Sequence, residues 1–330
     1  MPEMRLNLVT RDWIIIATER AKRPADFRRF EDRAFCPPYV DTCPFCAGNE
    51  SKSAEELFRI TDDGAWKIRV VANKYPAVAV SGEKKRITDG TRRMVSGVGR
   101  HEVIIESPVH NVSPALLDLK YVEDIVRCYR DRFVEAYRDP RVDHVIIFKN
   151  HGAGSGTSVD HPHSQLIGIP VVPMKFRDRV LAAMHYFDDT GECMICDIIK
   201  MEIKDGARVV IDTGDFLTFV PYAAISPFHL WIIPKRHTAT FSDITEEEIN
   251  GLARHLKALL LKYHIGLEDP DYNFVIRSSR PADAGNPYSH WYLSVIARIS
   301  TTAGFELGSG IYYNTGVPEE IAPFLRAIKV

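Results

Sequence analysis

The chemistry on offer in this chain sits in a few short stretches. "SVDHPHSQLIG", residues 158–168, places His161 and His163 one residue apart, just ahead of an apolar run that reads as a strand. Four cysteines fall in two pairs, Cys43 and Cys46 in "TCPFC" and Cys193 and Cys196 in "ECMIC". Thiolates and imidazoles are the ligands zinc prefers, and imidazole is also a nucleophile that need not ionise near neutral pH. In a reducing setting a Cys-x-x-Cys pair reads as a metal clip or a redox pair rather than a disulfide. A redox pair usually opens a helix after a strand, and the turn-rich "DTCPFCAGNES" does not look like one. Cys128, on an amphipathic stretch, reads as a plain core residue, and Cys36 has no assignment.

The elements that must position these groups occur twice, in the same order. Each half opens with a cysteine pair. A strand bounded by histidines follows, "HEVIIESPVH" (His101, His110) in one half and "HLWIIPKRH" (His229, His237) in the other. Next come the helical stretches "SPALLDLKYVEDIVRCYRDRFVEAY" and "ITEEEINGLARHLKALLLKYHIG", the second with Thr245 and Glu248 spaced as a capping box. The strands "DHVIIFKN" and "DYNFVIRS" lead into loops that deliver a histidine onto a last strand, "DHPHSQLIGIP" and "SHWYLSVIARI". Two copies of one α+β unit follow, each an antiparallel sheet covered by a helix, joined by a helical connector near "VVPMKFRDRVLAAMHYFDDTGE". The division is placed at residues 1–175 and 176–330.

The repeat sharpens the metal reading. Cys43, Cys46, His110 and His161 form one candidate set, and Cys193, Cys196, His237 and His290 the other. Two thiolates and two imidazoles suit closed, tetrahedral, structural Zn2+ sites. If His161 is a ligand, His163 stands two positions along the chain, ~7 Å away on the same strand face, with no coordination vacancy to fill. Its counterpart in the second half is Tyr292, so the metal set repeats and this imidazole does not. One working active site on a duplicated scaffold and chance loss of a neutral histidine both fit that asymmetry. The loop "NHGAGSGTSVD" could surround phosphate with bare backbone N–H groups and hydroxyls, although it matches neither a Walker loop nor the dinucleotide fingerprint.

With 330 residues, two domains are expected. The 42 basic and 44 acidic residues leave a formal charge of −2, which does not favour a nucleic-acid surface. The start "MPEMRLNLVTRDW" lacks the apolar core of a signal peptide and no run is long enough to span a membrane, so a cytoplasmic setting is the expectation.

"HPHSQ" resembles the His-x-His-x-Gln motif of the galactose-1-phosphate uridylyltransferase family, a branch of the histidine triad superfamily. The resemblance extends to "RDWIIIATERAKRP", "CPFC", "VVANKYPAV", "ESPVH" and "NHGAGSGTS", in order over nearly the whole chain. It implies a tandem duplication of a histidine-triad-like unit and a two-step transfer in which His163 attacks the α-phosphorus of a nucleotide sugar. It further implies that Gln165 contacts the phosphoryl oxygens and that Asn150, Ser155, Gly156, Thr157 and Ser158 position the phosphates, with Arg20 and Arg23 adding charge. Asn73 would lie against the nucleoside, and the protein would form a homodimer.

The C-terminal stretch "GFELGSGIYYNTGVPEE" departs from the best-known members. Glu306 can be matched, but no glutamine follows, and the backbone of Gly308, Ser309 and Gly310 is the candidate substitute for binding the acceptor. That departure and the second cysteine pair look more like a sub-branch that includes ADP-glucose phosphorylase. Uridylyl transfer between UDP-glucose and galactose 1-phosphate is the first expectation and adenylyl transfer from ADP-glucose to phosphate the second. A phosphoramidate or dinucleoside polyphosphate hydrolase ranks below them, since those proteins usually carry a third histidine where this motif has Gln165. A non-catalytic zinc-containing binding module is the remaining alternative.

Overall fold

Period-two alternation of apolar residues sends one set of side chains to each face of a strand. The structure, a computed structural model, describes residues 1–20, 22–27 and 36–330, with Arg20 described in its backbone alone. Ten strands make one sheet: β1 (Glu56–Asp62), β2 (Ala65–Ala72), β3 (Arg100–Ile105), β4 (His144–His151), β5 (His163–Ile169), β6 (Val209–Asp212), β7 (Phe216–Phe219), β8 (His229–Pro234), β9 (Tyr272–Arg277) and β10 (Tyr292–Ala297). Their spatial order is β6-β7-β8-β10-β9-β4-β5-β3-β2-β1, antiparallel throughout.

Read outward from the centre, the first half runs 4-5-3-2-1 and the second 9-10-8-7-6, the same order with five added to each number. The halves meet where β4 pairs with β9, Tyr272 opposite His151 and Ile276 opposite Ile147. The repeat in the sequence is thus a repeat of topology. The two expected sheets are one sheet, because each unit leaves the backbone donors and acceptors of its β4 or β9 edge unpaired and the other unit's edge satisfies them.

Among the described residues six α-helices accompany this sheet, α1 (Leu119–Ala136), α2 (Met174–Thr190), α3 (Met194–Asp205), α4 (Glu246–Gly266), α5 (Gly304–Ser309) and α6 (Pro318–Ala327), beside a small three-stranded sheet (Glu3–Leu6, Trp13–Ile16, Tyr312–Asn314) and a hairpin (Arg86–Asp89, Arg92–Val95). Helix α1 starts six residues after the Ser113 from which the pattern suggested it. Helix α4 begins at the expected capping box, with both reciprocal Thr245–Glu248 bonds made. One face of the sheet packs under α1 and α4 in a continuous core that includes Ile104, Leu166, Ile232, Leu293, Phe133 and Leu256, and Cys128 is fully buried within it. Neighbouring positions turn to the other face. There Val103 and Ile105 pack with Cys43, Phe45 and Cys46, and Trp231 and Ile233 pack with Cys193, Met194 and Ile195. Each cysteine pair therefore seals a small apolar cluster on the face away from α1 and α4. Among the described residues no helix is long and apolar enough to cross a membrane.

Candidate active site and metal centres

Both Cys/His sets assemble. In each, one ligand atom per residue lies within 4.8 Å of all the others. In the first set Cys46 Sγ is 3.3 Å from His110 Nδ1 and 3.7 Å from His161 Nδ1, and the two imidazole nitrogens are 3.2 Å apart. His161 Nε2–H donates to the Ser107 carbonyl at 2.7 Å, which leaves the Nδ1 lone pair facing the cluster. Backbone N–H groups of Val40 and Phe45 donate to the sulfurs of Cys46 and Cys43. In the second set Cys196 Sγ is 3.5 Å from His237 Nδ1 and 3.6 Å from His290 Nδ1, and the outer nitrogens of the two rings donate to Asn286 and Pro234 carbonyls. The first pair sits in turns, whereas Cys193 is the N-cap of α3.

His163 opens β5, and His161 lies in the bend before it. The His163 ring is buried, 6% exposed, with the Phe45 ring centre 5.7 Å away. Its Nδ1–H donates to the His161 carbonyl at 2.8 Å, so Nε2 carries the free lone pair. Burial pushes this imidazole below the ordinary histidine range, which favours the neutral ring. One side of His163 opens on a cavity of about 200 Å³ lined by Phe45, Val71, Asn73, Val103, Ser158 and Gln165. The other side opens on a cavity of about 360 Å³ lined by Lys149, Asn150, Gly152, Thr157, His264 and Asp269. The ring stands where the two cavities meet.

Gln165 is oriented from behind. His101 Nδ1 accepts the Ala77 N–H at 3.0 Å, so His101 Nε2–H donates to Gln165 Oε1 at 2.8 Å. With its oxygen engaged there, the Gln165 amide NH2 is left as a donor on the His163 side. Asn73 Nδ2 lies 3.4 Å from the same oxygen.

Beneath the strand, on the core side, is a fully buried polar network. Lys149 Nζ donates to Glu106 and, at 3.0 Å, to the His163 carbonyl, while Ser164 and Tyr129 hydroxyls donate to the other Glu106 oxygen. Burial pushes the Glu106 carboxyl up, but Lys149 and the two hydroxyls outweigh it and hold it below the usual carboxylate range. This network ties the backbone of the His163–Ser164 segment to α1.

The sequence of residues 1–173 matches the family described as galactose-1-phosphate uridyl transferase, N-terminal domain, and residues 180–302 match the corresponding C-terminal domain. The chain belongs to the galactose-1-phosphate uridyl transferase family. It is an enzyme of that family, with an α+β architecture shared by its structural neighbours. ADP-glucose phosphorylase of Arabidopsis thaliana is 36% identical over all of this chain and 93% of its own length. Galactose-1-phosphate uridylyltransferase of Thermotoga maritima is 27% identical over all of this chain and 99% of its own. The crystal structure of the Arabidopsis ADP-glucose phosphorylase with bound ADP-glucose superposes with a TM-score of 0.85 at 35% identity, covering 100% of this chain and 99% of that one.

Not every residue that the resemblance suggested converges on His163. The loop at 152–158 does border it, but Ser155 Oγ donates to the Gly152 carbonyl and Thr157 Oγ1 to the Val159 carbonyl, so both hydroxyls brace the loop itself. Gly156 holds a left-handed turn at φ +88°, and Asn150 Oδ1 accepts from Asn273 at 2.7 Å. Arg23 is exposed and lines neither His163 cavity; the Arg20 side chain lies outside the described residues. Glu306 lines a different cavity, on the second half of the sheet.

Gly308, Ser309 and Gly310, which the resemblance suggested as a backbone site for the acceptor, line neither His163 cavity. Gly308 and Ser309 are the last residues of α5, and the Gly310 N–H closes it onto the Glu306 carbonyl at 2.9 Å. His101, Glu106, Lys149 and Tyr129 are the site residues that sequence reasoning missed. Their only signal was polarity on apolar strands and a helix face.

Proposed function

We propose that this chain transfers a nucleotidyl group from a nucleotide sugar to a phosphate-bearing acceptor through a covalent adduct on His163. The observation that carries this reading is the free Nε2 of a buried His163 whose other nitrogen is tied to the His161 carbonyl, at the junction of two cavities. Nε2 attacks the α-phosphorus; the N–P bond forms as the P–O bond to the sugar phosphate breaks, and the leaving oxygen keeps the electron pair. Charge that develops on the ring is stabilised through the Nδ1–H bond to the carbonyl, and the Gln165 amide donates to a phosphoryl oxygen. An acceptor oxygen then attacks the same phosphorus, and the imidazole departs neutral.

Adenylyl transfer from ADP-glucose to inorganic phosphate is the leading form of the reaction, ahead of the uridylyl exchange that the sequence suggested first. The relative named for it is 36% identical against 27% for the Thermotoga uridylyltransferase, and the second Cys/His set, which set this chain apart from the best-known members, does assemble. Exchange between UDP-glucose and galactose 1-phosphate is the second reading, supported by the family match. Zn2+ is the ion proposed for both Cys/His sets. Tetrahedral zinc with Zn–S of about 2.3 Å and Zn–N of about 2.0–2.1 Å puts ligand atoms roughly 3.3–3.8 Å apart, and the observed 3.2 to 3.9 Å separations fit. When bound, it would hold the turn before His163 to β3. A homodimer in the cytoplasm, with the chemistry in residues 1–175, belongs to the same proposal.

The test offers labelled ADP-glucose with phosphate, and labelled UDP-glucose with galactose 1-phosphate, to the wild type and to His163→Ala. Formation of ADP and glucose 1-phosphate by the wild type alone supports the leading reading, and UDP-galactose formation supports the second. Equal turnover by His163→Ala, or no turnover with either pair, contradicts both.

A further inference from the structure

The second half of the sheet carries a cavity in the place that corresponds to the one beside His163. It encloses about 290 Å³ and shares no lining residue with the His163 cavities. The correspondence is one of register. In the first half His101 is paired with Ile167 and Val103 with Gln165; in the second His229 is paired with Ile296 and Trp231 with Ser294. The bond that orients Gln165 recurs, with His229 Nε2 2.9 Å from Ser294 Oγ. Tyr292 takes the position of His163. Arg277 pairs with Tyr292, and continuing the β4–β5 register by one residue puts Asn150 opposite His163, so an arginine stands where the first half has an asparagine.

The charges in this cavity are unbalanced. Lys175, Arg179, Arg277 and Arg298 line it against Asp12 and Glu306, and Glu306 already accepts the Ala303 N–H. Neither Arg179 nor Arg277 makes an ion pair or a side-chain hydrogen bond among the described residues, and Arg179 Nε is buried without a partner. Burial, and then the neighbouring Arg179, hold Arg277 below the usual arginine range. Burial and the same two guanidiniums push His229 down to about 3 and His144 to about 4, so both imidazoles are neutral. Two unpaired cations facing one another in a cleft are costly unless an anion joins them.

We propose that this cavity is a second, non-catalytic binding site for a small phosphate-bearing anion, gripped by Arg179 and Arg277. Phosphate is, with carboxylate, a class of anion that forked guanidiniums bind bidentately, and its higher charge suits a pair of arginines. Trp231 replaces Val103, and its ring lies 4.8 Å from that of Tyr292, so the wall that is aliphatic beside His163 is aromatic here. A phenol in place of the imidazole leaves the site able to bind but not to form the adduct. The site is defined by different atoms from the reaction centre, so its failure would leave the reading of His163 untouched.

The test combines a tungstate soak of wild-type crystals with calorimetric titration of the full chain by inorganic phosphate and, separately, by glucose 1-phosphate. Wild type, Arg277→Met and Arg179→Gln are compared. The expected result is tungstate between Arg179 and Arg277, and a binding event weakened at least tenfold in either variant. Tighter binding of glucose 1-phosphate identifies a sugar phosphate as the ligand; equal affinities identify the phosphate group alone. No tungstate at the arginine pair, wild-type binding by both variants, or a nucleotide seated at Tyr292 would overturn the proposal. The soak uses unaltered protein, so a variant that fails to fold does not shield it.

Discussion

In the proposed reaction His163 owes its nucleophilicity to one hydrogen bond, and Gln165 owes its orientation to another. If His101 serves to aim Gln165, His101→Leu should lower kcat roughly 100-fold, in the range found for removing one oxyanion donor. KM and metal content should stay near wild type; an unchanged kcat would refute the role. At the same scale, Lys149→Met strands the Glu106 carboxylate in the core and should cost about 3–5 kcal/mol in denaturant unfolding, with much of it recovered in Lys149→Met/Glu106→Leu. Because the folded pKa of Glu106 is depressed, its contribution is present above the unfolded value of about 4.3 and is lost as pH falls through the lower folded value. Wild-type stability should therefore fall more steeply below about pH 4 than that of the double variant. The cysteine pairs and the His-x-His step were legible in the sequence because thiols and paired imidazoles are sparse and their chemistry is narrow. His101, Glu106 and Lys149 were not, because each acquires its meaning from strands paired across tens of residues. The helix end at Gly308–Gly310 was not legible, because a glycine-rich string suits a cradle and a helix end equally well.

Each Cys/His set stitches a local turn or helix to the strands beside it: the first joins the 43–46 turn to the segments after β3 and before β5, and the second joins α3 to the segments after β8 and before β10. Chelation should release metal, lower the thermal midpoint and reduce activity together, and Cys46→Ala should reproduce this at the first set. Cys196→Ala should destabilise the fold while leaving the His163 reaction within a fewfold of wild type; abolition of turnover in a folded Cys196→Ala protein would contradict this division of labour. Helix α4 was legible to its first residue, since Thr245 and Glu248 satisfy its orphan N–H groups, and Thr245→Ala should cost ~1 kcal/mol. The start of α1 was not, because "SPALLDL" carries an apolar pattern without a helical start signal, and its Asp118 N-cap makes no side-chain bond.

At the scale of the molecule, the duplication was plain in the order of motifs, but the fusion of two sheets into one was not. An edge strand carries no mark that says whether solvent or a twin edge will satisfy it. The β4–β9 seam and the core shared by α1 and α4 make the halves one cooperative body. Single-tryptophan variants that retain Trp66 in the first half or Trp291 in the second should report coincident unfolding transitions; two separated midpoints would show the halves to be independent. The symmetry also gives the asymmetry its meaning. Two units share a register, a Cys/His set and a histidine-oriented polar side chain, and in the two proposals above a single imidazole at 163 against a phenol at 292 separates chemistry from binding.

The most direct measurement is to mix the enzyme with nucleotide sugar without acceptor, quench in alkali, digest, and read the mass of the peptide that spans residues 158–168. A nucleoside monophosphate added to His163 through Nε2, labile to acid and discharged by phosphate or hexose 1-phosphate, is the expected result. An unmodified His163 in an enzyme that turns over, or the adduct on any other residue, would contradict it.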